Sequence, residues 1–342
     1  MKIFKSKEER KKKKKNWKKT LLTIVVIITV YGVINLFITL IFAGQIPHRF
    51  ATVEEGRELM LANTEYFDQL TQNDIEFRVR KTGATMEEML ETSKESVEEF
   101  SFIDKWYLNS RIARMALHFK LKGYHIPEMD EITYIKANMD MESGASGYTH
   151  GTEIYLNDMI TVYAYLNFIP GFSELMDHTL YHELFHCLTR CNPDFREQMY
   201  ALIHFTVADT DFKMPPSVLE KYISNPDVEH HDSYATFMID GEPTDCFLVY
   251  ITTKTYAQAK TGFMQNDGTA LVPINGIDVY YTPDQATNFD EVFGTNTNYR
   301  IDPEECMADN FADAMKYGIR GRKGQGYPNP EIIQGVIDCL KK

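Results

Sequence analysis

The sequence predicts an α+β body behind a single membrane-spanning helix, and three observations carry that expectation. The first is "LLTIVVIITVYGVINLFITLIFA", residues 21–43, a run without a charge. At 1.5 Å per residue it is long enough to cross a hydrocarbon layer of about 30 Å. The second is apolar residues at three- and four-residue spacing through 53–124 and again around 169–193 and 302–318, the period of helices with one buried face. The third is alternation of polar and apolar residues in 131–140, 148–158 and about 240–285, the period of strands.

The anchor is justified by charge as well as length. Among 342 residues, 44% hydrophobic and 25% charged is an ordinary globular balance. Residues 1–20, however, hold eleven Lys/Arg and two Glu, leaving the tail at +9 and the remaining chain at −22. A basic flank before an apolar span predicts a cytoplasmic tail at 1–20, a transmembrane helix at 21–43 and a body outside the cell membrane. The lysines then face anionic headgroups, so residues 1–43 are expected to partner lipid, and no nucleic acid is expected. A cleaved signal peptide fits less well: its apolar region runs to about 7–15 residues, and "IFAGQIP" is a mediocre cleavage site. Residues 44–52 read as a stalk, with Pro47 breaking the anchor helix. Five cysteines, Cys187, Cys191, Cys246, Cys306 and Cys339, are too few for a disulfide-built scaffold, although one or two bridges stay open.

Past the stalk, 53–124 reads as a helical lobe with Gly123 as its C-cap. In the following region, 125–342, "EITYIKANMD" and "YTHGTEIYLND" predict two strands of an antiparallel sheet, separated by the turn "ESGASG". A helix follows, with Ser173 as N-cap, Glu174 at its positive start, Arg190 near its end and Asn192-Pro193 stopping it. Pro215-Pro216 and "SNPDVEHHD" mark loops, and a β-rich insert at about 240–285 predicts hairpins turning at Asn266-Asp267-Gly268 and Asn275-Gly276. The last helix, 303–317, is opened by Asp302 and Pro303 and closed by Gly318.

The chemistry concentrates in His182-Glu183-Leu184-Phe185-His186. Four apart on a helix, His182 and His186 share a face and can present two imidazole nitrogens to one metal ion. Glu183 is turned about 100° away, and it can reach a water on that metal without ligating it. In peptide hydrolysis zinc makes the water acidic, while the glutamate takes its proton and passes it to the leaving amine. A histidine six residues beyond His186 would mark a metzincin; that position is Asn192. The better third ligand is Glu305, with Asp309 on the same helical face to hold a ligand histidine through its other ring nitrogen. Small Ala308 and Ala312 lie beside them to let two helices approach. Glu304 is the rival ligand, but its i+4 neighbour is Ala308, which cannot support a histidine. Tyr299, Tyr281, His230 and His231 are candidate oxyanion stabilisers, each with an ordinary packing or surface reading beside it. Cys187 and Cys306 follow ligand positions directly and point away from the metal by helix geometry, as free buried thiols.

HELFH followed far downstream by Glu305-Cys306-Met307-Ala308-Asp309 resembles the gluzincin metallopeptidases, the group that includes thermolysin and membrane-bound peptidases with an E-x-x-A-D second motif. The resemblance spans roughly 148–317. It implies a zincin fold, with an active-site helix and a glutamate helix below a cleft and a mixed sheet whose edge strand binds the substrate backbone; "GTEIYLND" sits where that strand is placed. It also implies Zn2+ as cofactor and a peptide or protein as substrate. The 118 residues between His186 and Glu305 depart from thermolysin's shorter gap. The competing class is a non-catalytic surface protein with a structural or vestigial metal site; retention of Glu183 argues against it, because a structural zinc has no use for a base.

Overall fold

The computed structural model describes residues 7–167, 169, 171–262 and 267–341, with side chains from Asn16 onward. It opens with α1 (Lys7–Phe42), which with the 3-10 turn Ala43–Gln45 after it supplies the one helical stretch among the described residues long and apolar enough to cross a membrane, Asn16–Gln45, of mean hydropathy 2.6. Residues 1–6 of the expected tail lie outside the described residues. The body then runs β1 (His48–Phe50), α2 (Val53–Ala62), α3 (Thr64–Gln69), α4 (Gln72–Val79), α5 (Met86–Glu95), β2 (Val97–Glu98) and α6 (Phe102–Lys122). Next come β3 (Ile132–Ala137), β4 (Gly147–His150), β5 (Glu153–Asn157), α7 (Ile160–Leu166), α8 (Asp177–Cys191), α9 (Pro193–Ala201), β6 (Thr206–Val207) and α10 (Pro216–Leu219). The chain ends with β7 (Ser233–Ile239), β8 (Glu242–Thr252), α11 (Tyr256–Ala259), β9 (Asp267–Pro273), α12 (Phe289–Phe293), α13 (Pro303–Tyr317) and α14 (Pro330–Cys339).

Two sheets organise the α+β body. The mixed sheet has the order β1-β3-β5-β4, with β1 and β5 parallel to β3 and β4 antiparallel to β5; β2 joins the far end of β3. β3 is buried at all six positions because both faces are covered. Ile132 and Tyr134 enter the main core with α6, α8 and α13, while Ile135 and Ala137 meet Met60 of α2 on the other side. The second sheet, β6-β7-β8-β9, is antiparallel throughout. Phe185 of α8 and Phe311 of α13 stack at 5.5 Å between ring centroids, and Ala308 and Ala312 are fully buried where these helices approach.

Local chemistry explains the helix ends. Ser101 and Asp104 close a reciprocal cap at the start of α6, and Gly123 ends it at φ 65°. The Asp302 side chain accepts from Glu304 N at 2.8 Å at the start of α13, and Gly318 closes that helix, as its sequence predicts.

Several expectations need correction. The segment read as a stalk supplies β1, which pairs with β3 from His48↔Ile132 onward. "YTHGTEIYLND" is not one strand: Gly151, at φ 55°, turns it into the β4–β5 hairpin, so β5 runs parallel to β3 and "ESGASG" lies in a crossover. α8 begins at Asp177 after Met176, so Ser173 is not its N-cap; the Ser173 carbonyl instead accepts from Tyr107 Oη at 3.4 Å. Asp267 and Gly268 lie in β9, paired with Thr252 and Ile251, and Asn266 is outside the described residues. The tight hairpin turn is Asp240-Gly241, at φ 53° and 84° between β7 and β8. After Asn275-Gly276 the chain does reverse, bridging Tyr281 back to Leu271. Cys187, Cys191, Cys246 and Cys306 are free thiols, and Cys187 and Cys306 are fully buried.

Candidate metal centre

α8 and α13 bring the two predicted motifs into contact. His182 Nε2 lies 2.9 Å from Glu305 Oε2, and His186 Nε2 lies 3.8 Å from the same oxygen. The two imidazole rings stand 4.9 Å apart and nearly perpendicular, as residues one turn apart on a shared face allow. Each ring is held from behind through Nδ1. Asp309 Oδ1 is 3.2 Å from His182 Nδ1, and Glu304 Oε1 is 2.8 Å from His186 Nδ1. A carboxylate on Nδ1 makes that nitrogen a donor and turns Nε2 inward, where His182 Nε2 meets Glu305 and His186 Nε2 has no hydrogen-bond partner among the described residues.

The carboxylates are themselves held. Glu305 Oε1 accepts from Tyr299 Oη at 3.1 Å and from Asn225 Nδ2, leaving Oε2 toward the histidines. Glu304 accepts from Thr189 Oγ1 and Tyr200 Oη, both at 2.6 Å. Asp309 also accepts from Thr297 Oγ1. Glu183 is buried, and its Oε2 accepts from Thr149 Oγ1 of β4 at 2.8 Å. A fourth acidic group completes the inner wall: Asp227 Oδ1 is 3.8 Å from His186 Nε2 and accepts from Thr149 N at 2.6 Å.

So much buried acid shifts the ionisations. Burial alone would depress the His182 imidazolium, but hydrogen bonds to Asp309 and Glu305 outweigh it and hold it well above the ordinary histidine range. Burial also opposes the charge on Glu305, Glu304 and Asp309, yet their histidine partners keep all three below the usual carboxylate value. Asp227 behaves oppositely: burial, then the neighbouring Glu183 and Glu305 carboxylates, push it well upward. Burial followed by Glu305 likewise raises the Tyr299 phenol. The centre is short of positive charge, which a cation between the carboxylates would supply.

The predicted residues therefore sort by position. His182, Glu183, His186, Glu305, Asp309 and Tyr299 are brought together. His230 is exposed and turns to Asp211 at 3.3 Å, and His231 Nε2 meets Tyr222 Oη at 3.2 Å; neither touches the cluster. Tyr281 pairs with β9 beside the main core. "GTEIYLND" forms β5, an interior strand, whereas the edge strand beside Glu183 is β4. Glu304 supports His186, although its i+4 neighbour Ala308 was the reason to set it aside: the histidine it reaches lies across the helix pair, not along its own helix. Two imidazoles each needing an Nδ1 acceptor, facing an adjacent Glu304-Glu305 pair, were the signal available for it. Asp227, Asn225 and Thr149 come from a loop and a strand with no spacing to mark them.

His182, His186 and Glu305 can hold a metal ion, as can Glu183, His186 and Asp227; in each trio the donor atoms lie within 4.8 Å of one another. His186 Nε2 is the test of fit. Its residue is 0% exposed, and that nitrogen has no hydrogen-bond partner among the described residues, although it faces two carboxylate oxygens. A lone pair aimed at two carboxylates is unfavourable unless a cation lies between them. Compared with known proteins, the chain matches no family model, no curated protein and no solved structure.

Proposed function

We propose that the chain is a membrane-anchored zinc-dependent peptidase of gluzincin type, with a zincin-like body outside the membrane. The observation that carries this reading is the convergence of His182 Nε2, His186 Nε2 and Glu305 Oε2, with the Glu183 carboxylate buried beside them. Two imidazoles and one carboxylate, each backed by a fixed partner, suit zinc in a hydrolytic site. Bound there, zinc would supply Lewis acidity, polarising a carbonyl and making a water acidic near neutral pH.

The chain's own residues supply the remaining steps. Glu183 takes the proton of the attacking water and delivers it to the leaving amine nitrogen as the C–N bond breaks. Thr149 Oγ1 fixes the Glu183 rotamer, so the base does not have to be oriented in the transition state. Glu304 and Asp309 keep both imidazoles in the tautomer with an inward Nε2 lone pair. β4 is the edge strand against which an extended peptide substrate would pair, once Thr149 N is released from Asp227. Tyr299, whose hydroxyl reaches Glu305, is the nearest of the candidate oxyanion donors. Lipid contacts residues 1–43, and the basic flank keeps the N-terminus cytoplasmic.

The full chain in detergent, tested against an unstructured protein substrate, decides the matter. It should contain about one zinc per chain. Glu183→Gln should keep that zinc while hydrolysis falls by at least about 10²-fold, the lower bound for loss of a general base. Parental-rate cleavage by the Gln variant would remove this mechanism.

A further inference from the structure

The loop between α10 and β7 lies across the centre at Asn225–His231, and it makes three contacts with the proposed machinery. Asn225 Nδ2 donates to Glu305 Oε1. Asp227 Oδ1 accepts from Thr149 N at 2.6 Å, and Glu229 Oε1 accepts from Gly151 N at 2.7 Å. Thr149 lies in the edge strand β4, and Gly151 in the turn that follows it. The Thr149 N–H is a donor an added peptide strand would use. Arg190 fastens the loop from below, through Asp227 O at 2.9 Å and Glu229 Oε1 at 2.9 Å.

Two further facts concern Asp227 and its loop. Asp227 Oδ1 and Glu305 Oε2 are each 3.8 Å from the partnerless His186 Nε2. Neighbouring donors on a tetrahedral zinc with bonds of about 2.0–2.1 Å stand about 3.4 Å apart, so Asp227 stands near ligand spacing from His186, although it groups with Glu183 and His186 and not with His182 and Glu305. The loop lines a cavity of about 350 Å³ together with Arg190 and Arg196, and another of about 310 Å³ together with Tyr66, His150 and Gly151.

We propose that residues 225–231 are a strap that holds the centre latent: Asp227 closes the metal's coordination as a fourth protein ligand, and the carboxylates of Asp227 and Glu229 occupy the edge of β4 where substrate backbone would pair. The inference rests on the peptidase reading above. A site closed by four protein ligands is the structural kind of zinc site; a catalytic one keeps a position open. Losing Asp227 therefore opens the position that hydrolysis needs.

The test uses full-length protein in detergent micelles, with three readouts: zinc affinity by competition with a chromophoric chelator, the visible spectrum of the cobalt-substituted protein, and hydrolysis of denatured casein at saturating zinc. Asp227→Asn should bind zinc at least about tenfold more weakly, change the cobalt spectrum, and hydrolyse at least about tenfold faster than the parent. Glu229→Ala, which removes no ligand, should hydrolyse faster with zinc affinity and cobalt spectrum unchanged. An Asp227→Asn protein with the parental cobalt spectrum and zinc affinity overturns the proposal and leaves the peptidase reading standing. Expected metal changes without faster hydrolysis in either variant overturn the strap. Parental protein that binds no zinc overturns both readings. Should Asp227→Asn fail to fold, as judged by its melting, Glu229→Ala decides alone: no gain in hydrolysis overturns the strap.

Discussion

Glu304 and Asp309 divide one task between two imidazoles, and this is the clearest residue-scale consequence of the centre. Each holds an Nδ1, at 2.8 and 3.2 Å, and Glu304 is itself gripped by Thr189 and Tyr200 in a fully enclosed setting. Glu304→Ala should therefore weaken zinc binding by about 10–100-fold, as loss of a ligand's supporting hydrogen bond does, and Asp309→Ala should act similarly. Added zinc should restore part of the activity of both, unlike that of Glu183→Gln; a Glu304→Ala protein with parental zinc affinity would show that His186 is oriented by something else. His150 of β4 gives a second prediction. Burial, then Arg190 and Arg78, lower its pKa from 6.5 to about 3. Between those values the unfolded chain binds a proton that the folded chain refuses, so this residue makes stability fall as pH drops from about 6.5 toward 3. Its slope reaches at most about 1.4 kcal/mol per pH unit. His150→Phe keeps a ring against Tyr66, 4.7 Å away, but takes no proton. Thermal melts from pH 7 to 4 should show a shallower loss in the variant; identical slopes would refute the assignment. The ligand candidates were legible in the sequence because helical period fixes which side chains share a face. Thr149 and Asp227 were not, because their partners are reached across elements and no spacing encodes that; Glu304 was missed because its i+4 neighbour was weighed in place of the histidine across the helix pair.

At the scale of elements, the same boundary separates what the chain announces from what packing decides. α6 and α13 are readable from caps that act within a few residues, Ser101 with Asp104 and Asp302 with Glu304 N. Strand neighbours are not: β3 and β5 pair in parallel because β4 folds back outside β5, and the turn that does this needs only Gly151 at φ 55° inside an otherwise strand-like run. The outcome puts β4 at the edge, against α8, at very close quarters. A Cβ on Gly147 would stand 2.9 Å from Tyr155 O and 3.1 Å from Glu183 Oε1. Backbone cannot yield there, so the methyl of Gly147→Ala must displace either the hairpin or the base. It should destabilise the chain by about 1–3 kcal/mol, the usual cost of overpacking, and lower hydrolysis while zinc content persists. Denaturant unfolding together with metal analysis checks this, and loss of zinc in step with activity would mean that Gly147 supports the fold of the centre and not the placement of Glu183.

For the whole molecule, the question is how the body sits on its anchor. α1 does not leave the body as a free tether. Asn35 and Thr39 are buried, Arg114 of α6 donates through Nε to Asn35 Oδ1 at 2.8 Å, and the Arg114 guanidinium lies 5.6 Å from the Tyr31 ring centre. The opposite side of α1, with Phe37 and Leu40 among its residues, remains exposed and apolar. One polar, body-facing stripe and one apolar, outward stripe suit a helix whose last turns dock on α6 while its remaining surface meets lipid. A cleaved signal sequence would have no reason to bury Asn35 against Arg114, so this contact favours retention. An epitope fused at the N-terminus should then stay on the same polypeptide as the body and fractionate with membranes after alkaline washing. If the proposed orientation holds, with the basic flank on the inner side, protease added to intact cells should remove the body and spare the epitope. A body recovered in the medium without the epitope would establish cleavage. A body protected in intact cells, with the epitope digested, would invert the orientation, place the candidate metal centre in the cytoplasm and so restrict the proposed peptidase to substrates on that side of the membrane.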